Sequence, residues 1–299
     1  MRQKIVVTKD GTGDFSRIQD AIDHVRVHPL QPVTIFLKEG IYVEKVTIPD
    51  NKPFIKIVGD GEGKTTISYN DSATMKDSSG KPLGTFRTPV FSIFADNIRL
   101  ENLTIKNTAG FGEVVGQAVS LYVSGRRNQF YNVRLSGYQD TLYTSHGSQL
   151  FQNCYIEGDI DFIFGAATAV FLQCEIHSLR RGYITAASTP KDQKYGYVFL
   201  ECKITGSAKE DSVYLGRPWR PYAHTYFIHT YMGPHIKKEG WDNWRDQANE
   251  ETARYGEYEC SGSGSQSDDN KRVEWAIDLS NKEDLPLTVE SVFPDYPSW

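Results

Sequence analysis

The feature that most constrains this chain is a weak internal repeat. Five segments share one pattern: Asn102-LTIKN, Asn132-VRLSG, Asn153-CYIEG, Gln173-CEIHS and Glu201-CKITG. Each opens on a polar residue, runs through alternating side chains and closes on a polar residue or glycine. The opening residues are 30, 21, 20 and 28 positions apart. A period of twenty-odd residues with one short β segment per repeat is the signature of a β-solenoid. Helical repeats need roughly 33 residues or more and amphipathic helices, which these segments lack. The leucine spacing of a leucine-rich repeat is also absent.

The pattern predicts an all-β chain folded as a parallel β-helix, each coil pairing in register with its neighbours over a stacked apolar core. The runs FIKIV (54–58), PVFSIF (89–94), AVSLYV (118–123), YVFL (197–200) and TYFI (225–228) read as further strands. The polar, Gly-containing stretches Asp71 to Gly84 and Thr108 to Gly116 read as turns. A solenoid needs caps. Ser16 and Gln19 form a capping-box pattern ahead of Ile18, Ala21, Ile22 and Val25, so an N-terminal capping helix is expected over 16–26. The part from Gly240 onward is expected to pack along the outside, with SGSGSQSDDN (261–270) as a flexible loop. One domain, 1–299, is the expected organisation.

Composition excludes several classes. Apolar residues make up 39% and charged residues 24%, which excludes wholesale disorder. No run approaches eighteen consecutive apolar residues, so no helical membrane span is expected. The net charge of −5 and the lack of a basic run argue against a nucleic-acid binder. They do not exclude a polyanionic substrate, because a local groove can differ from the whole. The four cysteines, Cys154, Cys174, Cys202 and Cys260, contain no C-x-x-C pair, so neither a zinc ribbon nor a thioredoxin-like site is supported. There is no G-x-S-x-G elbow, paired-His metal motif or P-loop, and the seven histidines show no ligand spacing.

Two acidic residues share one phase of neighbouring repeats. Asp140 lies eight residues after Asn132, and Asp161 lies eight after Asn153. Stacked coils would set their backbones about 4.8 Å apart. Like charges that close cannot both ionise comfortably, so one carboxyl holds a proton and the other stays charged. That division suits an acid working with a base or nucleophile. Gln139 and Gln117 fall near the same phase and could receive an oxyanion. In LGRPW, Arg217 could clamp a carboxylate and Trp219 could stack on a sugar. Such carboxylates also suit a retaining glycosidase, and the aromatic residues alone would suit a carbohydrate-binding solenoid.

The segments GIYVE (40–44), GQAVSL (116–121), GYQDTLY (137–143), GDIDFIFG (158–165) and LGRPW (215–219), in this order, resemble the signatures of pectin methylesterases. GWDNW and YGEYEC look like later segments of the same family, and the resemblance covers roughly 4 to 260. It implies a right-handed parallel β-helix that hydrolyses the methyl esters of galacturonate in pectin, giving methanol and carboxylate. By motif, Asp161 resembles the nucleophile and Asp140 the general acid and base. Gln139 and Gln117 resemble the oxyanion pair, and Arg217 the residue that holds Asp161. Trp219 and Thr85 resemble substrate contacts, and Phe164 and Tyr143 are expected along the groove. The resemblance implies no metal and no cofactor. The partner is pectin or a methylated oligogalacturonide, with no nucleic acid and no membrane, acting on a monomer. The start MRQKIVVTKDGTGDF lacks a signal-peptide core. The chain therefore resembles a mature or simple microbial form, expected outside the cell, with the bacterial periplasm or cytoplasm as alternatives. Relatives often carry cysteines at the phase of Cys154 and Cys174. Their spacing allows a disulfide, and a buried reduced pair fits equally.

Overall fold

The computed structural model describes residues 4–267, 271–280 and 282–294. The chain divides into two compact units, 1–143 and 144–299, and the boundary falls inside the strand Leu142–Gln152. Each unit is built of parallel β-helix coils.

In the first unit the apolar positions of successive coils pair residue for residue. Ile5 pairs with Ile35, Ile35 with Ile57, Ile57 with Leu100 and Leu100 with Phe130. A second column runs Tyr42, Ile67, Ile105 and Leu135, and a third runs Val46, Phe91 and Leu121. All of these side chains are buried. A shift of one residue would turn each column outward, so burial itself sets the register.

The second unit repeats the device with larger groups. Phe151, Phe171, Phe199 and Phe227 stack at ring separations of 4.9, 4.4 and 4.4 Å, with interplanar angles of 9°, 8° and 13°. Truncating one ring in such a core costs about 3–5 kcal/mol. Beside them Ile156, Ile176, Ile204 and Met232 form an aliphatic column. Trp241 and Tyr255, stacked at 4.4 Å, carry the buried aromatic layer beyond Phe227.

The repeat has a backbone cause. Asn102 and Asn132 in the first unit, and Asn153, Gln173 and Glu201 in the second, all lie in the left-handed region, with φ between 50° and 55°. Each turns a corner that an ordinary L-residue avoids and asparagine tolerates best. His229 and Glu259 continue the series at φ 49° and 46°, 28 and 30 residues further on. The corner side chains bond along the stack. Asn132 Nδ2 donates to Asn102 Oδ1 at 3.1 Å, Gln173 Nε2 to Glu201 Oε2 at 2.8 Å, and His229 Nε2 lies 3.1 Å from Glu259 Oε2.

Several expectations are corrected. The capping helix α1 is Ile18–His24, not 16–26, and Ser16 does not cap it. Its free N–H groups are met by the buried Glu44 carboxylate, which accepts from Ile18 N at 2.9 Å and Gln19 N at 3.2 Å. Gln19 instead pairs with the Thr47 backbone, accepting from its N–H at 2.7 Å and donating to its carbonyl at 3.2 Å. The stretch 108–116 contains a one-turn helix, α2 (Gly112–Val115). The segment expected as a flexible loop at 261–270 is packed through residue 267, and residues 268–270 lie outside the described ones. Met232 N donates to Ser261 O at 2.8 Å and Gly264 N to Met232 O at 3.0 Å. Serines and glycines are needed there for close approach: a Cβ on Gly264 would stand 2.1 Å from Gly233 O. Beyond Gly240 the chain does two things. Arg254–Tyr258 adds a strand beside His224–Ile228, while Leu279 and Phe293 pack outside, over Val170, Val198 and Tyr226. Among the described residues no helix is long and apolar enough to cross a membrane.

All four cysteines are free thiols. Each follows a corner residue, so Cys154, Cys174 and Cys202 stand in one buried column, and Thr230 takes the next place, accepting from Cys202 N at 3.3 Å. Cys174 Sγ accepts from Cys154 N at 3.4 Å. Burial pushes the Cys260 thiol up to about 12 and disfavours the Cys174 thiolate, so neither is a ready nucleophile. Denatured protein without reductant should therefore titrate four thiols, and folded protein almost none. A count of two in the denatured protein would establish a disulfide and refute the reduced column.

Candidate active site

Gln117, Gln139, Asp140, Tyr143 and Thr85 belong to the first unit. The turn 137–141 joins Leu121–Ser136 to the strand beginning at Leu142, and Asp140 sits in it at φ 66°, buried to 8% exposure. Gln139 O accepts from Ala118 N at 3.1 Å, which sets Gln117 beside Gln139 on adjacent segments. Helix α2 closes over Gln139: a Cβ on Gly112 would stand 2.5 Å from Gln139 Cβ and 2.6 Å from its Oε1. Only glycine fits there, so the close approach of α2 limits where the Gln139 amide can point.

The segment around Gln117 is tied to the loop that carries Thr85. Ala73 N donates to Gln117 O at 2.8 Å, Thr74 Oγ1 to Val115 O at 2.9 Å and Val119 N to Thr88 Oγ1 at 3.0 Å. Thr85 starts a 3₁₀ turn, Thr85–Arg87. The next residue, Phe86, sets its ring 5.1 Å from Tyr143, which in turn lies 4.8 Å from Tyr122. The first unit thus brings the two glutamines together and puts Thr85 next in sequence to an aromatic row containing Tyr143.

In the second unit Asp161 sits in the turn between Tyr155–Gly158 and Ile163–Gly165, at φ 50° and 6% exposure. Arg217 grips it with both arms: Nε donates to Oδ1 at 2.8 Å and Nη2 to Oδ2 at 2.6 Å. This bidentate geometry is available to Arg and not to Lys. The guanidinium is held flat between two rings, its carbon 3.8 Å from the centroid of Tyr183 and 3.8 Å from that of Trp244. Register does the placing. Ile163 pairs with Thr185 and Thr185 with Gly216, and Arg217 N donates to Thr185 O at 3.0 Å. Two glycines of the motifs are steric necessities. A Cβ on Gly216 would stand 2.1 Å from Thr185 Oγ1, and one on Gly165 (φ 129°) would stand 2.0 Å from Thr144 O.

Trp219 is half-buried and meets Phe164 edge-on at 5.9 Å and 62°. Phe164 is 4% exposed, so it offers little surface and serves mainly to support Trp219.

Sequence reasoning missed Tyr183, Asp242 and Trp244. With Arg217 and Arg245 they line a cavity of about 310 Å³. Trp244 and Arg245 both have left-handed backbones, at φ 60° and 59°. Asp242 and Asn243 stabilise that bend: Trp244 N donates to Asp242 Oδ1 at 2.8 Å, and Arg245 N to Asn243 Oδ1 at 2.9 Å. The GWDNW motif was the available signal, but nothing in it reveals that its second tryptophan stacks on Arg217.

The electrostatics of Asp161 are opposed. Burial pushes its carboxyl above the usual range, the hydrogen bonds and charge of Arg217 pull it down, and the charge of Asp242 pushes it up again. Burial wins, so the carboxylate is a stronger base and nucleophile than an exposed aspartate, while Arg217 keeps it accessible as an anion. The pairing holds Arg217 above its usual value, against the effect of its own burial. A buried carboxylate so held can attack an electrophilic carbon.

The Pectinesterase family model matches residues 4–293. The chain is 40% identical over 282 residues to Pectinesterase 31 of Arabidopsis thaliana, covering 93% of this chain and 88% of that protein. Among solved structures it is similar to pectin methylesterase from carrot, with a TM-score of 0.87, 31% identity, and coverage of 97% of this chain and 92% of that one. It is similar also to a pectin methylesterase in complex with a hexasaccharide, with a TM-score of 0.85, 30% identity, and coverage of 98% and 97%.

Arg217→Lys should keep a positive charge near Asp161 and lose the paired hydrogen bonds. The Asp161 carboxyl then titrates at higher pH than in the parent, and the anionic form is lost sooner as pH falls. Side-chain carboxyl NMR across an acid titration checks this; an unchanged or lower midpoint would show that Arg217 does not hold the anion.

Proposed function

The chain belongs to the pectinesterase family, and we propose that it hydrolyses the methyl esters of galacturonate in pectin with Asp161 as nucleophile. The observation that carries this reading is the buried Asp161 carboxylate gripped at two oxygens by a ring-clamped Arg217. A merely structural ion pair has no need of a carboxyl pushed towards higher basicity.

In this mechanism an Asp161 oxygen attacks the ester carbonyl carbon. The negative charge moves to the carbonyl oxygen, where the Gln117 and Gln139 amides donate to it. As the tetrahedral species collapses, the bond to the methoxy oxygen breaks and Asp140 supplies the proton that makes it methanol. The product is an anhydride between Asp161 and the galacturonyl group. Asp140, now a carboxylate, takes a proton from water, which attacks the anhydride. Galacturonate leaves, Asp161 is again a carboxylate and Asp140 is again protonated. Trp219, Thr85 and Tyr143 are the sugar contacts, with Phe164 behind Trp219. No step of this chemistry calls for a metal or cofactor. The enzyme acts as a monomer, outside the cell, where its wall polymer lies.

Purified protein on highly esterified pectin should release methanol without creating new reducing ends. New reducing ends without methanol would instead mark a glycosidase. Asp161→Asn should lower kcat by about a thousandfold or more while the fold is kept, the size expected when a nucleophile is lost. If it retains more than about a tenth of the rate, a barrier change under about 1.4 kcal/mol, Asp161 is not the nucleophile. Gln139→Ala should cost about 100- to 1,000-fold in kcat, as for the loss of one oxyanion donor.

A further inference from the structure

A second cavity lies in the turns stacked next to that of Asp161. In the second unit Tyr155–Gly158, Glu175–Ser178 and Lys203–Gly206 pair in register on one side of these turns. Ile163–Gly165, Gly182–Ala187 and Val213–Gly216 pair on the other. The turns between them, 159–162, 179–181 and 207–212, therefore pile up in that order. Backbone bonds tie them: Leu179 N to Gly158 O at 2.8 Å, Tyr183 N to Asp159 O at 3.0 Å and Ser207 N to Ser178 O at 2.9 Å. The second and third turns enclose an open cavity of about 480 Å³ lined by Arg180, Arg181 and Lys209 together with Ser207 and Ser212. It stands one and two coils beyond Asp161, at about 4.8 Å per coil.

Three cations and two hydroxyls facing one space form an oxyanion site in a chain whose net charge is −5. Ser207 Oγ is fixed from behind by His177 Nε2 at 3.0 Å, and Ser212 Oγ donates to Lys209 O at 2.5 Å. The same turn carries two acids, Glu210 and Asp211. Asp211 is engaged elsewhere, its Oδ1 accepting from Lys238 N at 3.0 Å.

The ligand follows from the proposed reaction, on which this inference rests. Each turnover turns a neutral ester into a carboxylate and adds one negative charge to the polymer. An acidic protein repels such a product unless a local cationic surface receives it. We infer that Arg180, Arg181 and Lys209 form a binding site for the free carboxylates of de-esterified galacturonate, beside the site that makes them.

The test uses the folded full chain and two polymers: polygalacturonate, which has no ester to react, and highly methylated pectin. A combined Arg180→Gln, Arg181→Gln and Lys209→Gln variant should bind polygalacturonate about tenfold or more weakly at low ionic strength. That deficit should shrink as salt screens the parent's contacts. Its affinity for methylated pectin, and its methanol release from a short fully esterified oligomer, should stay within about twofold of the parent. Unchanged polygalacturonate affinity would overturn the site. So would an equal loss for both polymers, which would indicate general contact with the chain instead of charge recognition. If the triple variant does not fold, Lys209→Gln alone, at an exposed position, should still weaken polygalacturonate binding and its salt dependence, and no change would overturn the site. A parent that releases no methanol would sink the esterase reading, while the polygalacturonate comparison would still report on the cavity.

Discussion

The structure depends on in-register stacking of coils around corners that need a left-handed residue. Once Asn153, Gln173, Glu201, His229 and Glu259 turn their corners, the residue after each is held in one buried column. Cysteine fills four of those five places and threonine the fifth. Segments between corners vary in length without disturbing the columns, because the spare residues leave as turns. Function is located in those turns. Asp140 and Asp161 lie in turns and also have left-handed backbones, at φ 66° and 50°. Aspartate tolerates that conformation better than most residues, so a carboxyl can be placed there at modest conformational cost.

Asp161 shows how the scaffold handles a conflict. Removing a carboxylate from water destabilises the charge, and the usual remedy, an exposed lysine, would be loose and screened. Here the partner is an arginine whose plane is fixed by two rings. Tyr183 reaches it because Asp161, Tyr183 and Tyr214 occupy successive coils at one level, with Tyr183 and Tyr214 stacked at 5.3 Å. Trp244 reaches it because two Asx turns hold a bulky residue in a conformation it disfavours. Strain of this kind persists only where surrounding bonds over-determine it. The outcome is an anion that is paired and still more basic than an exposed aspartate.

The columns of aliphatic and aromatic residues were legible because a strand's alternation shows directly in the residue types. The corners were legible where the chain uses asparagine and fade where it uses histidine or glutamate, so His229 and Glu259 escaped notice. The capping box at Ser16 was a false signal. A local motif cannot reveal that Glu44, 26 positions from Ile18, supplies the carboxylate. Composition misled at 261–267, where glycine and serine serve close packing against the strand at Tyr231–Met232. The grip of Arg217 on Asp161 was anticipated through the motif likeness, whereas its flanking rings were not, because they meet only through register and a bent loop. The roles of Asp140, Gln117 and Gln139 rest on likeness together with the segments that hold them.

Net charge is a poor guide to what such a chain can hold. The sum of −5 averages a surface on which opposite charges are separated turn by turn. In a stacked solenoid one turn sits over the next, so like side chains in successive turns add at short range, well inside a Debye length of about 8–10 Å. Arg180, Arg181 and Lys209 act together for that reason, while acids on other faces are screened from them. Neutral pectin demands little of such a surface, whereas its demethylated product demands a good deal. A fold that stacks turns can therefore set the handling of ester and acid a coil or two apart, on one rigid frame and without a moving part.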